Sequence, residues 1–306
     1  MRQIAKQILE GGSRLPGLDA LRRQQLRNRV LILAYHNIIP TGERPAGEHA
    51  LHLPQEQFRR HLAEIARQCD VVPLDESVLE PGPARIRPRV VITFDDAYTG
   101  ALTSGVEELA RFGFPATFFA CPGRLGGQTF WWDHLAAEHG GVLLPALRNR
   151  ALSEFQGRDE PILRALSTGK GNSELPAWMR TADETLLHSA LEIPGLALGA
   201  HTWSHPNLIA IPPVSVDKEL SESLTWIRSF ARGAVPWLAY PYGAASTLVE
   251  ATAERVGFVA ALRVSGGWYQ PCTADRGTAF DLPRYGVTTG LTPQGLALRL
   301  MGFLCR

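Results

Sequence analysis

The sequence predicts an α/β fold around a parallel sheet, assembled from about seven strand–helix units. Three observations carry this. Short apolar runs alternate with amphipathic segments from residue 30 almost to the carboxyl terminus. Runs such as Val90-Val91-Ile92-Thr93-Phe94 are apolar on both faces, as a buried parallel strand requires. The residues best suited to chemistry follow directly on such runs, at the strand carboxyl ends where a barrel carries its active site.

Taken in order, Val30 to Tyr35 reads as the first strand, and Pro54 to Gln68 as an amphipathic helix with Phe58, Leu62 and Ile65 on one face. Val71-Val72-Pro73-Leu74 is a short strand, and Val90 to Phe94 a buried one. Thr103 to Phe112 reads as a helix with Val106 and Leu109 inward and Gly113 at its C′ position, followed by a strand from Pro115 to Ala120. Regularity breaks at about residues 124–186, which hold Trp131, Trp132 and the Leu-rich piece Leu143 to Leu152, and read as an insertion with its own helices. Its Gly169-Lys170-Gly171-Asn172 stretch is a loop without a phosphate-loop pattern around it. Alternation resumes at Leu196. A helix over Val216 to Phe230 turns Leu220, Leu224 and Ile227 inward, and a strand over Val235 to Tyr240 follows. Then come a helix over Leu248 to Val256 and strands over Phe258 to Leu262 and near Leu282 to Val287. With no repeat and no clean linker, residues 30–306 read as one domain carrying that insertion, preceded by an extension over residues 1–29.

Composition narrows the function. The chain has 306 residues, 45% of them hydrophobic, and a formal charge of +1, which gives no support for nucleic acid as a partner. Cys69, Cys121, Cys272 and Cys305 lie far apart and read as reduced thiols, not a disulfide framework or a zinc knuckle. No apolar stretch reads as a signal peptide or a membrane span, so a cytoplasmic protein is expected. Residues 1–29 are basic, with Arg2, Lys6, Arg14, Arg22, Arg23, Arg27 and Arg29 against Glu10 and Asp19. Ile4 and Ile8 give that segment a short apolar stripe, which allows membrane association through anionic head groups; a packed helix with a solvated basic face is the simpler reading.

The apolar run at Val90 ends in two adjacent carboxylates, Asp95 and Asp96. Each disfavours ionisation of the other, so a buried pair calls for a compensating cation, a metal ion being the simplest; a solvated strand end or a helix cap is the alternative. The apolar stretch Leu196 to Ala200 leads into His201-Thr202-Trp203-Ser204-His205. Pro206 directly after pushes His205 out of the α region, so the pair reads as a strand-to-loop hook and not a helix. One Asp with two His is a facial set for a divalent metal, and leaves the second carboxylate as a base.

Together these segments resemble the polysaccharide deacetylases, carbohydrate esterases with a NodB-homology domain. The matching pieces are Thr93-Phe94-Asp95-Asp96-Ala97-Tyr98, Pro115 to Phe119, His201 to Leu208 and Ala239-Tyr240-Pro241-Tyr242-Gly243. Leu33-Ala34-Tyr35-His36-Asn37, Phe130-Trp131-Trp132-Asp133 and Leu282-Pro283-Arg284 are similar to a bacterial subgroup involved in exopolysaccharide formation. The resemblance covers roughly residues 30–290 and implies a distorted (β/α)7 barrel. It implies removal of acetyl groups from the amino sugars of a polysaccharide or glycan precursor, with zinc or another divalent ion. It assigns Asp96, His201 and His205 as metal ligands, Asp95 as general base, and the backbone N–H of Tyr242 as a donor to the oxyanion.

The chain departs from the family pattern in three places. Ala97 stands where Gly usually follows the Asp pair, which implies an altered turn. Ala239 stands where an Arg is common, and Arg284 is the residue that could hold Asp95 ionised in its stead, an ordinary ion pair being the alternative. No His follows His205, so the family's carboxyl-terminal acid is missing; His36, after the first strand, is the replacement expected, against a purely structural role. His49, His52, His61, His134, His139 and His188 read as surface residues. Trp131 and Trp132 could stack on sugar rings, with Trp132 and Tyr242 as substrate contacts, or pack the insertion. An O-acetyl sugar esterase on the same site and a catalytically weak carbohydrate-binding barrel are the competing readings. The saccharide, its linkage and the oligomeric state are left open.

Overall fold

The computed structural model describes residues 24–75, 78–80, 86–169, 174–230, 232–271 and 279–303. The apolar stripe at Ile4 and Ile8, residues 170–172, Cys272 and Cys305 lie outside the described residues. Strand β1 (Val30–Tyr35) leads to β2 (Asn37–Ile39) and β3 (His52–Pro54), which pair in parallel as a small separate sheet. Helix α1 (Gln55–Gln68) and the two-residue β4 (Asp70–Val71) precede β5 (Arg89–Phe94). Next come α2 (Val106–Phe112) and β6 (Ala116–Ala120). Among the described residues, four α-helices separate β6 from β7 (Leu196–Ala200): α3 (Trp131–Ala137), α4 (Pro145–Ser153), α5 (Asp159–Leu166) and α6 (Glu184–Leu191). The chain continues through α7 (Pro213–Arg228), β8 (Ala234–Ala239), α8 (Thr247–Val256), β9 (Ala260–Arg263), β10 (Leu282–Gly286) and α9 (Pro293–Leu300).

Strands β1 and β5 to β10 form a closed parallel barrel, β1 pairing with β10 on one side and with β5 on the other. This is the (β/α)7 barrel, and its distortion has a visible cause. β4 occupies the amino end of β5 (Asp70 and Val71 opposite Arg89 and Val90), so β6 meets β5 only at Thr93 and Phe94.

Side-chain alternation sorts each strand between the barrel interior and the helix layer. Val30, Ile32, Val91, Phe119, Trp237, Ala239, Leu262 and Leu282 share the inner cluster. Leu31, Leu33, Val90, Ile92, Phe118 and Leu198 face the helices. The period of two then places Thr93 and Asp95 on the side of Val91, and Arg284 on the side of Leu282, so a guanidinium with no exposed surface sits inside the barrel.

Element boundaries differ from the sequence reading where local geometry is irregular. The strand expected at Val71 to Leu74 is Asp70–Val71. The helix expected from Thr103 opens instead with a π-helical turn, Ala101–Gly105, and ends at Gly113 with φ of +63°, the left-handed C-cap that glycine accepts without strain. His52 and His61 are fully buried, not surface residues. For His61 the reason is its place on the buried face of α1, beside Phe58, Leu62 and Ile65. No helix among the described residues is long and apolar enough to cross a membrane.

Candidate active site

The two carboxylates part company because the backbone turns between them. Asp95 prolongs the pairing of β5, its N–H donating to the carbonyl of Tyr35 at 3.0 Å. Asp96 (φ +70°) and Ala97 (φ +50°) are both left-handed, a conformation costing a non-glycine residue about 1–2 kcal/mol. Ala97 is thus not in the φ < 0 region that an alanine prefers but in the left-handed conformation that glycine adopts readily. Its carbonyl accepts the N–H of Ala182 at 2.9 Å, and the residue is fully buried.

Asp95 points into the barrel, where Arg284 grips both its oxygens at 2.6 and 2.8 Å. The same guanidinium donates to Thr93 Oγ1 at 3.2 Å and lies over the Phe119 ring. Burial pushes the Asp95 carboxyl up, but the charge and hydrogen bonds of Arg284 outweigh it and hold the group below the ordinary carboxylate range. Asp96 has no such partner. Burial raises its pKa well above normal, the charges of Asp95, Asp133 and Asp159 raise it further, and its Oδ1 is buried without a hydrogen bond.

That oxygen faces two imidazoles, 3.6 Å from His201 Nε2 and 3.4 Å from His205 Nε2. The hook carrying them is strained: Thr202 and His205 have φ of +66° and +62°, so His205 is left-handed, outside the right-handed α region that Pro206 disfavours. Glu219 of α7 holds the hook, accepting the N–H groups of Trp203 and Ser204 and the hydroxyl of Ser204. His201 Nδ1 lies 2.7 Å from the carbonyl of Ala239, which can only accept, so that nitrogen carries the proton and Nε2 offers its lone pair. Burial lowers the pKa of both imidazoles and keeps them neutral.

Asp96, His201 and His205 fit a divalent cation, their ligand atoms all lying within 4.8 Å of one another. Bonds of 2.0–2.1 Å at tetrahedral angles put ligand atoms roughly 3.3 Å apart, close to the separations found. An orphaned buried carboxylate oxygen beside two neutral imidazoles is what such an ion would satisfy.

A cavity of about 360 Å³ opens over this set, and His36, Asp95, Asp96, Trp131, Trp132, His201, His205 and Tyr242 all face it. His36 is partly exposed to it, with Nδ1 buried and unpartnered; burial is the main reason its pKa falls to about 4. Tyr242 is left-handed (φ +59°) at a tight turn closed by Gly243. Its hydroxyl accepts from Trp131 Nε1 at 3.2 Å and donates toward the carbonyls of Gly157 and His205. Trp132 is not the open stacking platform expected: it is 5% exposed, with one face stacked on Phe130 at 4.3 Å. Trp131 is equally buried. The structure also brings in Glu48, Leu51, Leu143, Arg148 and Val264, none of which carried a sequence signal.

The family model for polysaccharide deacetylases matches residues 83–261, more than half of the chain and the segment holding both Asp and both His. The chain belongs to the polysaccharide deacetylase family. It is accordingly a deacetylase-type hydrolase. No curated protein sequence matches it. Among solved structures, the chain is similar to a Streptococcus pyogenes deacetylase, PplD, in complex with acetate (16% identity, TM-score 0.60, covering 89% of this chain and 98% of that one). It is also similar to IcaB from Ammonifex degensii (14% identity, TM-score 0.61, 90% and 97%). A de-N-acetylase from Aggregatibacter actinomycetemcomitans gives 14% identity and a TM-score of 0.59 over 86% of this chain and 96% of its own. At these identities the likeness is one of fold.

Proposed function

We propose that this deacetylase removes acetyl groups from N-acetylated sugars of a polysaccharide or glycan precursor, in a reaction that depends on a divalent metal, with zinc the first candidate. One observation carries the reading. Of two adjacent buried carboxylates, one is clamped by Arg284 and the other is left bare toward two neutral imidazoles.

An ion held by Asp96, His201 and His205 would supply Lewis acidity for the acetyl carbonyl and a more acidic water. Asp95, kept ionised by Arg284, is the group that takes the water's proton. Arg284 positions Asp95 and does not touch substrate. The Tyr242 turn offers a backbone N–H toward the developing oxyanion, a role independent of the side chain. Among the described residues, His36 is the further imidazole lining the cavity, and it is the proton donor proposed for the departing amine.

His36 also supports the second reading. With its pKa near 4 the free ring is neutral at neutral pH, so it must gain a proton within the reaction before giving one up. Loss of an alkoxide from an O-acetyl ester asks less of an acid than loss of an amine. The test is acetate release from matched N-acetyl and O-acetyl sugars, with and without chelator, for the wild type, Asp95→Asn and His36→Ala. The amide reading expects chelator-sensitive release from N-acetyl sugars, lost in both variants. Release from O-acetyl sugars alone would replace it with the esterase, and full activity after complete ion removal would overturn the metal site. Sugar binding by a wild type that cleaves neither substrate would favour a binding barrel.

A further inference from the structure

We propose that His205 is oriented by ring packing instead of by a hydrogen bond, and that Asp133, acting through Tyr98 and Trp132, is the positioning residue behind it; this rests on the metal reading above. The two imidazoles differ in their supports. His201 has the usual one, an Nδ1–H bonded to a carbonyl. His205 Nδ1 is buried with no hydrogen-bond partner, so no such bond selects its orientation.

Aromatic rings surround His205 instead. Tyr242 meets it at 4.7 Å and 80°, Trp132 at 5.1 Å and 55°, and Phe130 at 5.7 Å and 62°. These rings have anchors of their own. Trp132 Nε1 donates to the Tyr98 hydroxyl at 3.0 Å, and that hydroxyl donates to Asp133 Oδ2 at 2.9 Å. The direction is forced, because an indole N–H only donates, a carboxylate only accepts, and the hydroxyl has one proton to give. Asp133 is fully buried and fixed from its other side, Oδ1 accepting the Glu48 N–H at 2.9 Å and meeting His52 Nε2 at 2.8 Å. Trp131 anchors Tyr242 in the same way.

The Phe130-Trp131-Trp132-Asp133 segment thus supplies two of the rings and their anchor from the start of α3. Tyr98, two residues beyond Asp96, ties that anchor to the turn bearing the carboxylate ligand. One relay therefore sets the ligand after β5 and the ligand in the hook after β7 against each other.

The test is the Zn²⁺ affinity of ion-free protein, read by competition with a chromophoric chelator. Tyr98→Phe removes one oxygen and keeps the ring, and is expected to weaken Zn²⁺ binding by roughly tenfold or more, as loss of a supporting partner does. Trp132→Leu, which removes the packing itself, is expected to weaken it at least as much, and carries the test if Tyr98→Phe does not fold. Ile65→Ala, which opens a cavity on the buried face of α1 away from the hydrogen bonds of the relay, controls for general destabilisation; its Zn²⁺ affinity should stay close to that of the wild type. Folding of each variant is checked by thermal denaturation. Unchanged affinity in folded Tyr98→Phe and Trp132→Leu, or equal weakening in Ile65→Ala, overturns the relay. A wild type that binds no divalent ion overturns the metal reading instead, which keeps the two failures apart.

Discussion

Replacing Arg284 by Met is expected to destabilise the protein as much as a large core cavity would, because it strands Asp95 inside the barrel. The side chains of the pair are 0% and 3% exposed and share two short charge-assisted hydrogen bonds. Charge centres about 4 Å apart interact by about 4 kcal/mol at an effective dielectric near 20. Breaking a buried pair by removing one partner costs about 3–5 kcal/mol. Arg284→Met and Asp95→Asn should each lose that much in urea denaturation, while the double variant should lose distinctly less than the sum, with a coupling of about 2 kcal/mol or more. The pH dependence has a definite sign. The folded pKa of Asp95 lies below its unfolded value, so the contribution of the pair is fully present above about pH 4 and is lost as pH falls further. The gap between wild type and Arg284→Met should therefore narrow in acid. Single losses below about 1 kcal/mol, or strict additivity in the double variant, would refute the argument.

Three other outcomes follow from the same geometry. Asp96→Asn should raise the stability of the chelator-treated protein by about 1 kcal/mol, since it removes an unpaired buried carboxyl and Asn tolerates the left-handed turn, while abolishing Zn²⁺ binding; a less stable variant in chelator would contradict this. Gly243→Ala should cost at least about 1 kcal/mol, because φ is +68° and a Cβ there would stand 2.8 Å from the backbone nitrogen of Val264; a neutral result by thermal melting would show that the turn is not tight. His61 has its pKa lowered by burial to about 4, so its neutral form contributes stability that is full above pH 6.5 and is lost as pH falls toward 4. His61→Gln should flatten the wild-type stability profile in that window by roughly 3 kcal/mol, and an unchanged slope would sink this account.

Much of the site is readable along the chain because its parts sit at the ends of regular elements. The β-branched run before Asp95, the apolar stretch before His201 and the Pro-Tyr-Gly turn each announce a strand end by local pattern alone. His61 was misread as a surface residue although the pattern was there, since it shares a helical face with Phe58, Leu62 and Ile65. Trp132 was not legible. Two adjacent tryptophans look the same whether they meet a sugar or a phenylalanine, and stacking on Phe130 is a matter of tertiary contact. Ala97 misled for a related reason. Intrinsic backbone preference opposes a left-handed alanine, and surrounding contacts overrule it.

Local periodicity, readable within a dozen residues, determined that this chain builds parallel strands and that carboxylates and imidazoles stand at their carboxyl ends. Which carboxylate became which was decided only by closure of the barrel. Asp95 and Arg284 lie far apart in sequence and meet because alternation on β5 and β10 turns both into one interior. Asp96 was left to His201 and His205 by a single reversed backbone angle. Charge pairing in a buried site depends on distance through space, and that distance exists only once the sheet has closed.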